Sequence, residues 1–265
     1  MLFGTAKAVP SRRSGTFTIL FTVPLDSMMA EAPRHATYPR PVRITKPVKN
    51  ARKLPLKERV KKILGRLDKA YPNASCALEH RTPFQLLIST ILSAQCTDER
   101  VNQVTKTLFP KYPTLEDFAA ADPRELEQDI RPTGFFRNKT KSIIGASKML
   151  LEKFGGEMPR TMEEMLELPG VARKTANVVL GTAYGLATGV VVDTHVQRLS
   201  RRLDLTKEDD PKKIEQDLMK IIPKKRWIEF SHQLIWHGRL VCQARKPRCM
   251  DCPLEDLCYS KDKTI

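Results

Sequence analysis

The chain has 265 residues, 41% hydrophobic and 29% charged. That is enough apolar material for a core, and no run approaches the roughly 20 apolar residues that cross a bilayer. Its net charge of +16 favours a polyanionic partner, nucleic acid before a membrane surface.

Residues 1–62 hold 14 Lys and Arg against 3 Asp and Glu, so +11 of the charge sits there and +5 on the rest. A nucleic-acid site has to be sought in the body of the chain. Residues 1–54 read as a basic, disordered extension, with Pro frequent from Pro33 to Pro55 and no helical period. A false start is an equal reading, since Met28 and Met29 can open a shorter chain. The short apolar stretch 17–23 lacks a clear cleavage pattern, so a secretory signal is disfavoured. The acid-poor composition leaves an organellar transit peptide open.

From Leu56 onward the chain reads as helices divided by turn signals. Pro83 suits a first helical turn, and Phe84, Leu87, Ile88, Ile91 and Leu92 share one helical face. Thr114 with Asp117, Asp122 with Glu125, and Thr161 with Glu164 have the spacing of capped starts. A helix is expected over 139–153, closed by Gly155 and Gly156. Asp210 and Pro211 open another, with Ile214, Leu218, Ile221 and Ile222 on its apolar side. The sole strand candidate is Gly-Val-Val-Val at 189–192, too short to build a sheet. The fold class is all-α.

Leu-Pro-Gly-Val-Ala-Arg-Lys-Thr-Ala at 168–176 reads as a helix end, a tight turn at Pro169 and Gly170, and a new helix near Arg173. Such a hairpin turns backbone N–H groups outward at a helix N-terminus, where they hold a phosphate without reading sequence. Lys174 lies in that first turn. It is either a phosphate-facing lysine or a nucleophile. The second role requires a neutral amine, favoured by the helix dipole, by Arg173 and by burial in a cleft. Val-Val-Val-Asp-Thr-His at 190–195 precedes a helix with Val196, Leu199 and Leu203 on one side. Asp193 suits an N-cap, and the same carboxylate at a cleft mouth would stabilise a sugar cation or activate an amine. His195 reads as hydrogen-bonding support.

Four of the six cysteines, Cys242, Cys249, Cys252 and Cys258, fall within 17 residues. Such crowding indicates metal ligation under reducing conditions rather than a disulfide framework. One Cys-x2-Cys knuckle with uneven flanks favours an iron–sulfur cluster over zinc. Cys76 and Cys96 read as small apolar residues. Arg245, Lys246 and Arg248 lie inside the cysteine loop and would meet a phosphate backbone.

In this order and spacing the segments resemble the endonuclease III family, base-excision repair DNA glycosylases and abasic-site lyases with a [4Fe–4S] cluster. Leu-Ser-Ala-Gln-Cys-Thr-Asp at 92–98 and Trp-His-Gly-Arg at 236–239 carry the likeness too, over about 55–262. The resemblance implies a helix-hairpin-helix DNA glycosylase fold. A six-helix barrel domain spans about 76–186, its hairpin at about 162–184. An iron–sulfur cluster domain joins 55–75 to 187–265, and the DNA cleft lies between the two.

By the same resemblance, Lys174 is the Schiff-base nucleophile and Asp193 the catalytic carboxylate. Gln95 fills the gap left by a flipped nucleotide, and Phe135 is a second wedge where the family usually has an aliphatic side chain. Pro169, Gly170, Val171, Ala172, Arg173, Thr175, His195, Arg245, Lys246 and Arg248 contact DNA, and the four cysteines hold one [4Fe–4S] cluster. Ala172 stands where the family's hairpin often has a second glycine. The expected partner is damaged double-stranded DNA, with no membrane, and the protein is expected to be a monomer. A bacterial protein would lie in the cytoplasm or nucleoid, and the basic extension leaves nucleus or mitochondrion open. The alternatives are a monofunctional adenine-DNA glycosylase, disfavoured by Lys174, and a non-catalytic DNA-binding protein with a zinc module.

Overall fold

The computed structural model describes residues 54–264. The extension, the 17–23 stretch and the alternative start lie outside the described residues, apart from Leu54. That residue belongs to the fold: its N–H donates to the Tyr259 hydroxyl at 2.9 Å.

Eleven α-helices and no strand occur among the described residues. They are α1 (Leu56–Ala70), α2 (Pro83–Leu92), α3 (Asp98–Lys111), α4 (Leu115–Ala120), α5 (Pro123–Ile130) and α6 (Phe136–Phe154). After these come α7 (Met162–Glu167), α8 (Arg173–Tyr184), α9 (Thr194–Arg202), α10 (Pro211–Ile221) and α11 (Trp227–Leu240). Local chemistry fixes most of the starts. Thr114 and Asp117 form a reciprocal capping box at α4. Asp122, Thr161 and Asp210 cap α5, α7 and α10 through their side chains. Thr82 caps α2 with Pro83 in its first turn. Gly155 closes α6 in the left-handed conformation.

Two expectations need correction. Helix α6 starts at Phe136, before the expected Lys139, because Phe135 adopts a left-handed backbone that turns the chain into the helix. Residues 189–192 form no strand. Val190, Val191 and Val192 are buried side chains of an extended connection, and the Val191 N–H is satisfied by Ser231 Oγ at 3.0 Å. Helix α2 buries Ser89, Thr90 and Leu86 as well as its apolar face, since it runs through the centre of a core rather than over one.

The apolar residues gather in two clusters. The first draws on α2 to α8 and includes Leu86, Ile88, Phe118, Ile143 and Val179. The second draws on α1 and on everything after Ala187, including Ile63, Leu67, Leu199, Leu218, Phe230 and Leu234. The chain passes between them near Tyr71 to Leu78 and again between Tyr184 and Val190, so α8 and α9 follow each other from different clusters.

Candidate active site

The hairpin of α7 and α8 is seated on α6. Gly170 has φ +78°, and a Cβ there would lie 2.4 Å from the Ser142 Cβ. Across the same contact, a Cβ on Gly145 would meet Pro169 at 3.2 Å. The turn therefore needs glycine both for its backbone angle and for its closeness to α6. Ala172 precedes α8 without supplying a side-chain acceptor, so the first-turn N–H groups lack a cap. Lys174 is exposed in that turn, so the cleft does not bury it in the free protein.

Not every hairpin residue is available. Val171 is buried, and its N–H is spent on the Leu168 carbonyl at 3.1 Å. Thr175 is buried as well. The Arg173 Nε donates to Glu215 Oε2 at 2.7 Å, and Glu215 is only 5% exposed. Glu215 Oε1 accepts from Asn177 at 2.8 Å, and Asn177 Oδ1 accepts from the Thr188 hydroxyl at 2.8 Å. A buried polar chain thus ties the first turns of α8 to α10 and to the connection leading to Asp193. Sequence reasoning missed it. The hint was a lone Glu among the apolar positions of α10.

Asp193 caps α9: its Oδ1 accepts from the N–H groups of His195 at 2.9 Å and Val196 at 2.8 Å. Among the described residues no donor reaches Oδ2, so the cap holds the carboxylate while one oxygen stays available. His195 packs against Gly238 of α11, where a Cβ would lie 2.8 Å from its Cβ and Nδ1. Burial first, then Arg198 and Arg239, hold its imidazole below the ordinary range against the pull of Asp193. Arg239 pairs with Asp98 of α3 at 2.7 Å.

Gln95 and Phe135 are exposed, Phe135 to 62%. Both have left-handed backbones, φ 53° and 48°. Only two other non-glycine residues among those described share this feature, Asp204 and Lys246. Three of the four are expected DNA contacts, and such strain gathers where side chains are presented for function.

Cys242, Cys249, Cys252 and Cys258 line one cavity. Donors face several of the sulfurs: the Leu254 N–H reaches Cys252 at 3.4 Å, the Thr264 N–H reaches Cys249 at 3.4 Å, and Arg202 reaches Cys242 at 3.3 Å. Burial pushes the Cys252 thiol up to about 12 and those of Cys242 and Cys258 upward. A bound cation would favour the thiolates instead. Among the described residues, no three His, Cys, Asp or Glu side chains converge as ligands of a single metal ion. Four sulfurs around a shared space suit a multi-iron group that takes one thiolate per iron. Arg198 and Arg202, one turn apart on α9, fasten the loop: Arg198 donates to the Cys242 carbonyl at 2.9 Å and Arg202 to the Gln243 carbonyl at 2.8 Å. Arg245, Lys246 and Arg248 are exposed on it, and Arg248 pairs with Asp251 at 2.7 Å.

The model of the HhH-GPD superfamily base excision DNA repair protein matches residues 88–224, and that of the iron-sulfur binding domain of endonuclease III matches 242–258. The chain is 58% identical to an endonuclease III of Synechocystis over 77% of this chain and 93% of that one. It is 47% identical to the Bacillus subtilis endonuclease III, covering 76% and 91%, and 40% identical to the Escherichia coli one, covering 76% and 95%. Among solved structures it resembles a trapped endonuclease III–DNA covalent intermediate. The TM-score is 0.74 and the identity 47%, over 78% of this chain and 97% of that one.

Proposed function

The chain belongs to the endonuclease III family of base-excision DNA repair proteins, and on that premise we propose how its residues divide the work. It is a bifunctional DNA glycosylase and abasic-site lyase. Our reading assigns the nucleophile to Lys174 and the carboxylate to Asp193. The observation that carries it is an exposed lysine in the uncapped first turn of α8 together with a carboxylate that the α9 cap holds by one oxygen while the other stays available.

Duplex DNA is held by salt-sensitive phosphate contacts at the hairpin N–H groups and at Arg245 and Lys246. An oxidised pyrimidine, weakly stacked, leaves the helix at low cost. Gln95 and Phe135 occupy the space it vacates. The neutral Lys174 amine bonds to the sugar C1′ while the C1′–N bond breaks and its electron pair departs with the base. Asp193 supports the positive charge that develops on the sugar and takes up the proton the amine sheds. The nitrogen lone pair then opens the sugar ring, breaking C1′–O4′ while Asp193 returns its proton to O4′, and the iminium so formed makes the C2′ hydrogen acidic. Its loss expels the 3′ phosphate by β-elimination, and water then frees the lysine. The two apolar clusters support a division into two domains, 76–186 against 55–75 with 187–265, with DNA lying across their junction.

The four cysteines fit one [4Fe–4S] cluster, which when bound cross-links the loop that bears Arg245 and Lys246. The DNA partner is damaged duplex, engaged by a single copy of the chain. Among the described residues no helix is long and apolar enough to cross a membrane. Lys174 sets the chain apart from a monofunctional adenine glycosylase. Borohydride trapping on duplexes carrying oxidised pyrimidines tests the assignment: wild type forms a covalent adduct, and Lys174→Ala binds the same DNA without one. An adduct of undiminished yield in Lys174→Ala would remove the role.

A further inference from the structure

Lys139, in the first turn of α6, is the one lysine among the described residues that is buried, at 4% exposure. Neither partner of its ammonium is a carboxylate. Nζ donates to the carbonyl of Leu92 at 2.8 Å and to that of Thr133 at 2.9 Å. The first carbonyl is at the C-terminal end of α2, where intrahelical donors run out, and the second ends the tight turn Arg131–Thr133. The Lys139 backbone N–H donates to the Phe135 carbonyl at 3.2 Å. Burial lowers the ammonium's affinity for its proton.

A buried cation is a costly way to satisfy two carbonyls at the edge of a fold, where solvent or a hydroxyl would do. What it adds is a link. Leu92 lies three residues before Gln95, and Thr133 lies two before Phe135. Both of those turns hold an exposed, left-handed, non-glycine residue. The two turns are distant in sequence, and the lysine reaches back 47 residues to Leu92.

We propose that Lys139 is a positioning residue for base eversion: its ammonium locks the Gln95 and Phe135 turns together, so that the two side chains enter the duplex as one rigid wedge. This deepens the reading of Gln95 and Phe135 given above and rests on it. A loosened pair of turns loses the pre-ordering that offsets unstacking. The deficit falls on steps in which a base must leave the helix, and a pre-formed abasic site has no base to unstack.

The test is Lys139→Met, which keeps the length of the side chain and removes the donors, assayed as full-length, cluster-loaded protein. Single-turnover excision of an oxidised pyrimidine falls about ten- to a hundredfold, the range expected for losing one or two charge-assisted hydrogen bonds at the critical step. Strand cleavage and borohydride trapping at a pre-formed abasic site fall much less, and discrimination between opposite bases flattens. Lys139→Gln, which keeps a donor for one carbonyl, gives an intermediate excision rate and serves alone should the methionine variant not accumulate. An unchanged excision rate, or an equal fall in excision and abasic-site cleavage, overturns the proposal. Gln95→Ala and Phe135→Ala separate the two layers. If neither slows excision, the wedge reading itself fails. If they slow it and Lys139→Met does not, only the role of Lys139 fails.

Discussion

Glu215→Gln tests whether the buried polar chain behind the hairpin sets the position of Lys174. The carboxylate accepts from Arg173 at 2.7 Å and from Asn177 at 2.8 Å, through separate oxygens. A glutamine has one oxygen and one NH2, so one of these contacts becomes donor against donor. A hydrogen bond to a charged group contributes about 1.5–3 kcal/mol. The Arg173 side chain is 37% exposed and can turn to water, which lowers the loss to about 1–2 kcal/mol, below the roughly 3–5 for a fully buried pair. For a domain of this size that lowers Tm by roughly 2–8 °C. Two functional readouts go further. Arg173, released from Glu215, is free to meet a phosphate, so the slope of log K against log salt steepens by about 0.9. The first turn of α8 loses its anchor, and the single-turnover rate of Schiff-base trapping falls about tenfold, since small displacements of a reacting group are costly. Binding titrations over a salt series and quenched-flow trapping measure both. A lower Tm with slope and trapping rate unchanged would refute the reasoning and leave Glu215 as a structural group alone.

Asp193→Asn preserves the cap, because Asn serves that position as well as Asp. Thermal stability stays within about 0.5 kcal/mol while base release slows by roughly 10² or more, as expected for lost acid–base support; equal rates in a single-turnover assay would leave Asp193 a cap only. Gly170→Ala meets both a left-handed backbone and Ser142, at a combined cost of about 2–4 kcal/mol by denaturant unfolding. Adding Ser142→Gly should restore the steric part and not the backbone part. Burial, with Arg239, lowers the His232 imidazole to about 4 from an ordinary 6.5. The unfolded chain therefore takes up that proton first, and the stability it lends is whole above pH 6.5 and declines as pH falls towards 4, by up to about 3 kcal/mol. His232→Gln should flatten that part of an unfolding-versus-pH curve; an unaltered curve would place the acid sensitivity elsewhere.

Helix starts were legible because their causes are local. The Thr114–Asp117 box and the Asp122, Thr161 and Asp210 caps lie within three residues of what they satisfy, and Gly155, which ends α6, lies five from the Leu150 carbonyl. So was Asp193 as a cap, and the cysteine loop by its spacing. Long-range pairings were not legible. Nothing in the order of residues tells that Arg173 answers to Glu215, 42 positions away, or that Arg239 reaches back to Asp98. The three valines at 190–192 have strand-like chemistry, yet among the described residues no strand exists to pair with them; Val190 and Val192 pack into the second cluster and the Val191 N–H goes to Ser231. Helix α6 begins early because Phe135 spends strain to turn the chain, for which no local pattern exists.

That strain has a consequence that can be measured. Where the chain needs only a left-handed turn it uses glycine, as at Gly155 and Gly185. At 95 and 135 it keeps Gln and Phe instead, against a cost of about 1–2 kcal/mol per residue for the left-handed backbone. A side chain retained against such a cost, and left exposed, contributes little to folding. Gln95→Gly and Phe135→Gly therefore relieve the backbone. The greater entropy of glycine in the unfolded chain offsets part of that, so the variants are between neutral and about 1 kcal/mol more stable. Excision of an oxidised pyrimidine nevertheless slows, and the double variant slows more than either single one. Chemical denaturation and single-turnover excision on the same preparations decide the matter. Variants that are clearly less stable yet excise at the wild-type rate would mean that Gln95 and Phe135 hold the fold together and do not enter DNA.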